Sequence, residues 1–312
     1  MPSGLTSTAL RLLSPAGRKG RIQIFTFHQV TDHESAKVNG APTLEAFEAQ
    51  IRWITDVCNV LPMGEAIELR TRDALPANAA VITFDDGYEN NLTRALPILE
   101  RYSAPATIFL ATGALRDGIM WNDLFIEGIR RLRRSISFAY EDEPIEVSPD
   151  TPVERLLSRF KYEPISERWE AAQAFFRQAT DESIPRLMLT EEQIAHCDTP
   201  LITFGAHTVS HPILAEMDDQ SSRREIEQSK REVEELINQN VEFFAYPNGR
   251  YGQDFGEREK EYVAESGYRA AFTTDWGPVT YSSQCFALPR YAPWENSEAA
   301  YKRRILITNV SA

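Results

Sequence analysis

Two neighbouring carboxylates, Asp85 and Asp86, close the apolar run AAVITF and are followed at once by Gly87. Like charges side by side repel. Because side chains alternate along a strand, both can serve one site only where the strand has ended. A cation would relieve the repulsion. A second apolar run leads into GAHTVSHP, where His207 and His211 lie four positions apart. In a helical turn that spacing puts both imidazoles on one face at metal-chelating distance. Two neutral imidazoles and one carboxylate form a common ligand set for a catalytic zinc with an open position. Such a metal acidifies water, and a second carboxylate can take the proton. One aspartate of the pair is then a ligand and its neighbour a base. A third apolar run ends in TFHQV, which carries His28.

TFDDGY followed by HTVSHP resembles the first two signature motifs of the polysaccharide deacetylases, also called the NodB-homology domain or carbohydrate esterase family four. Members hydrolyse N-acetyl groups of amino sugars on a distorted (β/α)7 barrel, and the resemblance runs from about Ile22 to Tyr291. It implies Asp86, His207 and His211 as ligands of a divalent ion, zinc first with Co2+, Ni2+ or Mn2+ as alternatives. It implies Asp85 as the base. The third motif corresponds to YPNG, residues 246–249, with the Asn248 N–H as oxyanion donor and Tyr246 beside the substrate. The arginine usually found two residues before the motif's proline is replaced by Ala245, and Arg290 in LPRY is the expected substitute that orients the base. No histidine follows His211, so the role of general acid falls to His28, as in the branch with an N-terminal catalytic histidine that modifies exported poly-N-acetylglucosamine and related exopolysaccharides. TTDWGPV, residues 273–279, resembles the fourth motif, with Asp275 supporting the acid histidine and Trp276 walling the acetyl pocket. Trp121, Trp294 and Tyr291 are further candidates for stacking on sugar faces.

The elements that must position these residues are legible as six short apolar runs, beginning at Ile22, Ala79, Pro105, Leu201, Val241 and Tyr268. Continuous apolar runs of this kind are buried on both faces, as in a parallel sheet. Helical periodicity lies between them: Thr43 caps a helix with Phe47, Ile51 and Ile54 on one face, and residues 91–102 and 221–238 repeat the pattern. The expected fold is α/β, a distorted (β/α)7 barrel of the polysaccharide deacetylase type, forming a single domain over residues 1–312. Residues 116–199 break the rhythm and read as a helical insertion between barrel strands. Residues 1–20 read as an N-terminal helical extension with Leu5, Ala9, Leu12 and Leu13 on one face.

Forty-six acidic against 33 basic residues leave a net charge of -13, which argues against a nucleic-acid partner. Three separated cysteines, Cys58, Cys197 and Cys285, make neither a disulfide framework nor a CxxC metal site. With no signal-peptide pattern and no membrane span, the expectation is a cytoplasmic protein, peripherally in contact with the inner membrane or with polysaccharide-synthesis proteins. The expected activity is metal-dependent N-deacetylation of an N-acetylated saccharide, whether polysaccharide, oligosaccharide or lipid-linked precursor. Two alternatives stand beside it: an amidohydrolase of small cyclic or linear amides, and a catalytically silent saccharide-binding homologue.

Overall fold

The structure, a computed structural model, describes residues 3–140, 143–292 and 294–310. Its strands are β1 (Ile22–Phe27), β2 (Asn59–Val60), β3 (Ala79–Phe84), β4 (Ala106–Leu110), β5 (Ile136–Tyr140), β6 (Glu143–Val147), β7 (Ile202–Ala206), β8 (Phe243–Ala245) and β9 (Ala270–Phe272). Seven of them form one curled parallel sheet in the order β1-β3-β4-β7-β8-β9, with the short β2 paired to the start of β3. Each of the six apolar runs became one of these strands. Every residue of β1, β3 and β4 is buried, because helices cover one face and the curled sheet packs on itself at the other.

Residues 288–291 span the gap between the sheet's ends. Leu288 exchanges backbone hydrogen bonds with Ala271 and Thr273 of the β9 side, and Tyr291 does the same with Ile24 and Thr26 of β1. This stretch has no helix or strand period, yet it closes the ring. Inside, Ile24, Val81, Phe109, Phe243, Phe272 and Leu288 form an apolar plug. Side chains at the strands' C-terminal ends are therefore held from below by packed residues.

The 116–199 segment contains the helices Trp121–Arg131, Val153–Phe160 and Ile165–Ala179, as expected, but it is not purely helical. β5 and β6 pair as an antiparallel hairpin. Its alternation is masked in sequence because only one residue of each strand, Phe138 and Val147, is buried. These two join Leu124, Phe125, Phe160 and Phe175 in a core of the segment's own.

The helix Ser3–Leu13 packs on the C-terminal helix Glu298–Val310. Among its described side chains Thr6 and Leu10 are buried, Ala9 and Leu13 partly buried and Leu12 exposed, so the packed face overlaps the expected one only in part. The side chain of Leu5 lies outside the described set. Among the described residues no helix is long and apolar enough to cross a membrane.

Candidate active site

β3 ends at Phe84, and the chain turns through left-handed backbone at Asp86 (φ 74°) and Gly87 (φ 90°). A non-glycine residue held at positive φ is strained. At Gly87 an added Cβ would also meet Leu110 at 2.8 Å. The turn separates the two aspartates. Asp85 faces the closing segment, where Arg290 grips it through both oxygens, Nη1 to Oδ1 at 2.7 Å and Nη2 to Oδ2 at 2.9 Å. Arg290 is fully buried, donates further to Thr83 Oγ1 and the Thr273 carbonyl, and lies over the Phe109 ring.

Asp86 faces the other way, toward the loop after β7. Its Oδ1 is 3.5 Å from Nε2 of both His207 and His211, too long for a hydrogen bond, and no donor reaches it. The two imidazoles meet with ring centres 5.0 Å apart, but not through the expected helical turn. Residues 207–211 form an irregular loop with positive φ at Thr208 and His211. Two left-handed residues curl the chain in place of a helix. Glu225, on the helix Asp219–Ile237, clamps that loop: its carboxylate accepts from Val209 N at 2.8 Å, Ser210 N at 2.9 Å and Ser210 Oγ at 2.6 Å. The Ala245 carbonyl at the end of β8 lies 2.7 Å from His207 Nδ1, so that nitrogen carries the proton and Nε2 presents a lone pair to Asp86.

Electrostatics separate the four groups. Burial alone would raise Asp85, but the Arg290 charge, with His207 adding to it, holds the carboxyl well below its usual range. Burial pushes Asp86 well up, reinforced by Asp85 and Asp123. Burial lowers His207 to about 4 and, aided by the His207 and Arg168 charges, takes His211 well below 6.5. Asp86, His207 and His211 each offer a donor atom within 4.8 Å of the others. An orphaned buried carboxylate oxygen facing the Nε2 atoms of two imidazoles is a donor set that fits a divalent cation.

His28 directly follows β1 and is an exposed residue on a cleft of about 580 Å³, which Asp86, Tyr88 and the exposed Trp294 also line. Burial lowers its pKa, and the negative charge of Asp85 offsets part of that. Asn248 (φ 58°) borders a smaller cavity beside His211, and among the described residues its N–H donates to no protein acceptor.

Four expected site residues are placed otherwise. Tyr246 is fully buried, stacked on Phe255 with ring centres 3.7 Å apart, and its hydroxyl donates to the Phe286 carbonyl; it is a core residue. Tyr291 is buried with its hydroxyl on Gln23, because the closing segment pairs with β1 there and turns the ring inward. Asp275 is exposed and accepts from Tyr251 N at 3.2 Å, and among the described residues it has no contact with His28. Trp276 is 45% exposed and packs on Trp294, at the rim and not in a wall of the cleft.

Glu225, Ala245 and Thr83 escaped sequence reasoning because each acts through long-range contact, and nothing in the local pattern marks one helix glutamate among many. The Tyr88 hydroxyl, which donates to the buried Asp123 carboxylate at 3.0 Å, escaped it for the same reason.

The model of the family described as polysaccharide deacetylase matches residues 72–271, which contain Asp85, Asp86, His207 and His211. The chain belongs to the polysaccharide deacetylase family. It is 24% identical over 287 residues to YxkH of Bacillus subtilis, which is named for the same family, covering 91% of this chain and 74% of that one. It is 35% identical over 68 residues to a poly-β-1,6-N-acetyl-D-glucosamine N-deacetylase of Staphylococcus aureus, 22% of this chain and 23% of that one. Among solved structures it is similar to the Streptococcus pyogenes deacetylase PplD, with TM-score 0.58 and 20% identity, covering 92% of this chain and 97% of that one. That likeness is one of fold. As a deacetylase barrel, the chain carries its candidate site where the fold places chemistry, at the C-terminal ends of the strands.

Proposed function

We propose that this polysaccharide deacetylase is a metal-dependent hydrolase removing N-acetyl groups from amino-sugar residues of a saccharide. The observation that carries the proposal is the convergence of Asp86, His207 and His211 on one point, with the ionised Asp85 beside them and outside the ligand set. The open cleft bounded by His28 and Trp294 favours a saccharide over a small enclosed amide.

Asp86, His207 and His211 would hold the ion, zinc by the nature of the donors. When bound, it supplies Lewis-acid chemistry, activating water and polarising the acetamide carbonyl. Asp85 takes the proton from the attacking water. Arg290 keeps Asp85 ionised and fixes its direction, and the same grip makes it a weak base, suited to water that is already acidic. The Asn248 N–H donates to the oxyanion as attack proceeds. His28, across the cleft, protonates the departing amine. Trp276 and Trp294 form an aromatic rim on which sugar rings stack.

The test pairs metal analysis of the purified protein with acetate release from β-1,6-linked N-acetylglucosamine oligomers before and after chelation. Bound metal near one equivalent and chelator-sensitive release are expected. Metal-free protein with full activity, or metal-loaded protein inert on every N-acetylated saccharide, would overturn the proposal.

A further inference from the structure

Beside the metal-ligand loop lies a cavity of about 210 Å³ lined by Trp121, Asn122, Lys161, Arg168, His211 and Asn248. Four of these six come from the 116–199 segment, so the insertion builds a wall of the candidate site. Arg168 is only 4% exposed. Its Nε donates to the Glu163 carbonyl at 2.7 Å and its guanidinium lies 5.5 Å from the Trp121 ring centre. Among the described residues no carboxylate pairs with it. Lys161, by contrast, is balanced by Asp254 at 3.4 Å. Glu154, a carboxylate on the same wall, is exposed and forms no ion pair among the described residues. Burying a guanidinium with no carboxylate at ion-pair distance is costly, and burial lowers the Arg168 pKa, offset in part by the nearby Glu163 charge. Asn122 adds an unmet acceptor: its Oδ1 is buried with no hydrogen-bond partner and it borders both this cavity and the larger cleft.

We infer that this cavity is a subsite for an oxyanion carried by the saccharide itself, a phosphate or a carboxylate, with Arg168 as the fork that binds it and Asn122 Oδ1 accepting from a neighbouring hydroxyl or amide. The inference rests on the proposed saccharide substrate and narrows it to anionic amino sugars. Arg168 lines the cavity with no hydrogen bond from its terminal nitrogens to another described residue, and a guanidinium fork beside the Trp121 ring suits bidentate oxyanions.

Calorimetric titration of the chelator-treated protein with N-acetylglucosamine 1-phosphate, N-acetylmuramic acid and neutral N-acetylglucosamine tests this without any turnover. The phosphate and carboxylate sugars are expected to bind roughly ten- to a hundred-fold more tightly than the neutral one. The gap closes in Arg168→Gln, and in Asn122→Asp, which places a carboxylate beside the guanidinium and serves if the first variant does not fold. Whichever anionic sugar binds more tightly identifies the oxyanion. Equal binding of all three sugars to the wild-type protein, or a gap that survives both variants, would overturn the subsite. So would sodium acetate binding as tightly as the anionic sugars, which marks a pocket for released product. In the metal-loaded protein the ratio of kcat/KM for anionic over neutral sugars falls with the same variants. Acetate release from neutral and anionic sugars alike, with an unchanged ratio, sinks this inference and leaves the deacetylase proposal standing. Absence of release from every sugar does the reverse if the binding gap persists.

Discussion

Arg290 and Asp85 form a buried bidentate ion pair between segments that the chain separates widely. Removing one partner leaves an uncompensated buried charge, so Arg290→Met should cost about 3–5 kcal/mol of stability at neutral pH. The folded-state pKa of Asp85 is depressed, so the stability it contributes is present above its unfolded value near 3.8 and is lost as pH falls below that. Denaturant unfolding of chelated protein at pH 7 and pH 3 should therefore show a large difference between wild type and variant at the higher pH that narrows only in part at the lower, where folded Asp85 is still ionised. The neighbouring groups divide by chemistry. Asp85→Asn should lower kcat by roughly 10² to 10⁴-fold with metal content unchanged, as measured by steady-state kinetics beside metal analysis. His28→Ala should also retain metal while slowing turnover, whereas His207→Ala should lose the ion. An Asp85→Asn protein of near wild-type activity would remove the base from the proposed mechanism. At this scale residue type and motif spacing located Asp86, His207 and His211, since metal chemistry admits few side chains. They could not place Tyr246, Tyr291 or Asp275, because an aromatic or an aspartate near a strand end reads alike whether it faces core, solvent or substrate.

The loop carrying the candidate ligands His207 and His211 owes its shape to the elements around it. Thr208 and Val209 carbonyls accept from Thr112 and Gly113 at the start of the helix after β4, and the Glu225 carboxylate holds the loop from the opposite side. Positive φ at Thr208 and His211 is sustained by these contacts. Glu225→Ala should leave the fold intact and weaken metal binding roughly 10- to 100-fold, the effect expected of a residue that orients ligands. Zinc titration against a competing chelator reads this directly, and Glu225→Gln, which keeps an oxygen acceptor, should lose less. The six parallel strands other than β2 were visible as apolar runs because nearly all of their residues, on both faces, are buried. β2, at two residues, is too short to show a period, and the β5–β6 hairpin buries one residue per strand, so its alternation looks like helix-compatible polarity. The spacing of His207 and His211 pointed to a helical turn, and the loop reached the same proximity through backbone strain that no periodicity records.

Across the whole molecule the insertion and the barrel meet at the Tyr88–Asp123 hydrogen bond, where Asp123 also caps its helix by accepting from Met120 N at 3.2 Å. Burial raises Asp123 to about 7, and here the sign is opposite to that of Asp85. The folded state holds this proton more tightly than the unfolded chain, so its favourable contribution is complete below about pH 4 and is lost as pH rises toward 7. Chelated wild-type protein should lose a few kcal/mol of stability between pH 4 and pH 8 from this group, and Asp123→Asn should flatten that slope in parallel unfolding curves. The sequence by itself determined the strand-and-helix rhythm, the family and the set of candidate metal-binding side chains, because burial on two faces and ligand chemistry both act through residue type. Only the tertiary structure decided which arginine meets Asp85, which glutamate clamps the loop of His207 and His211, and that the insertion walls the site with an Arg168 that forms no ion pair among the described residues. Those partners are brought together by chain closure over long separations, and local preference carries no information about which distant charge will arrive.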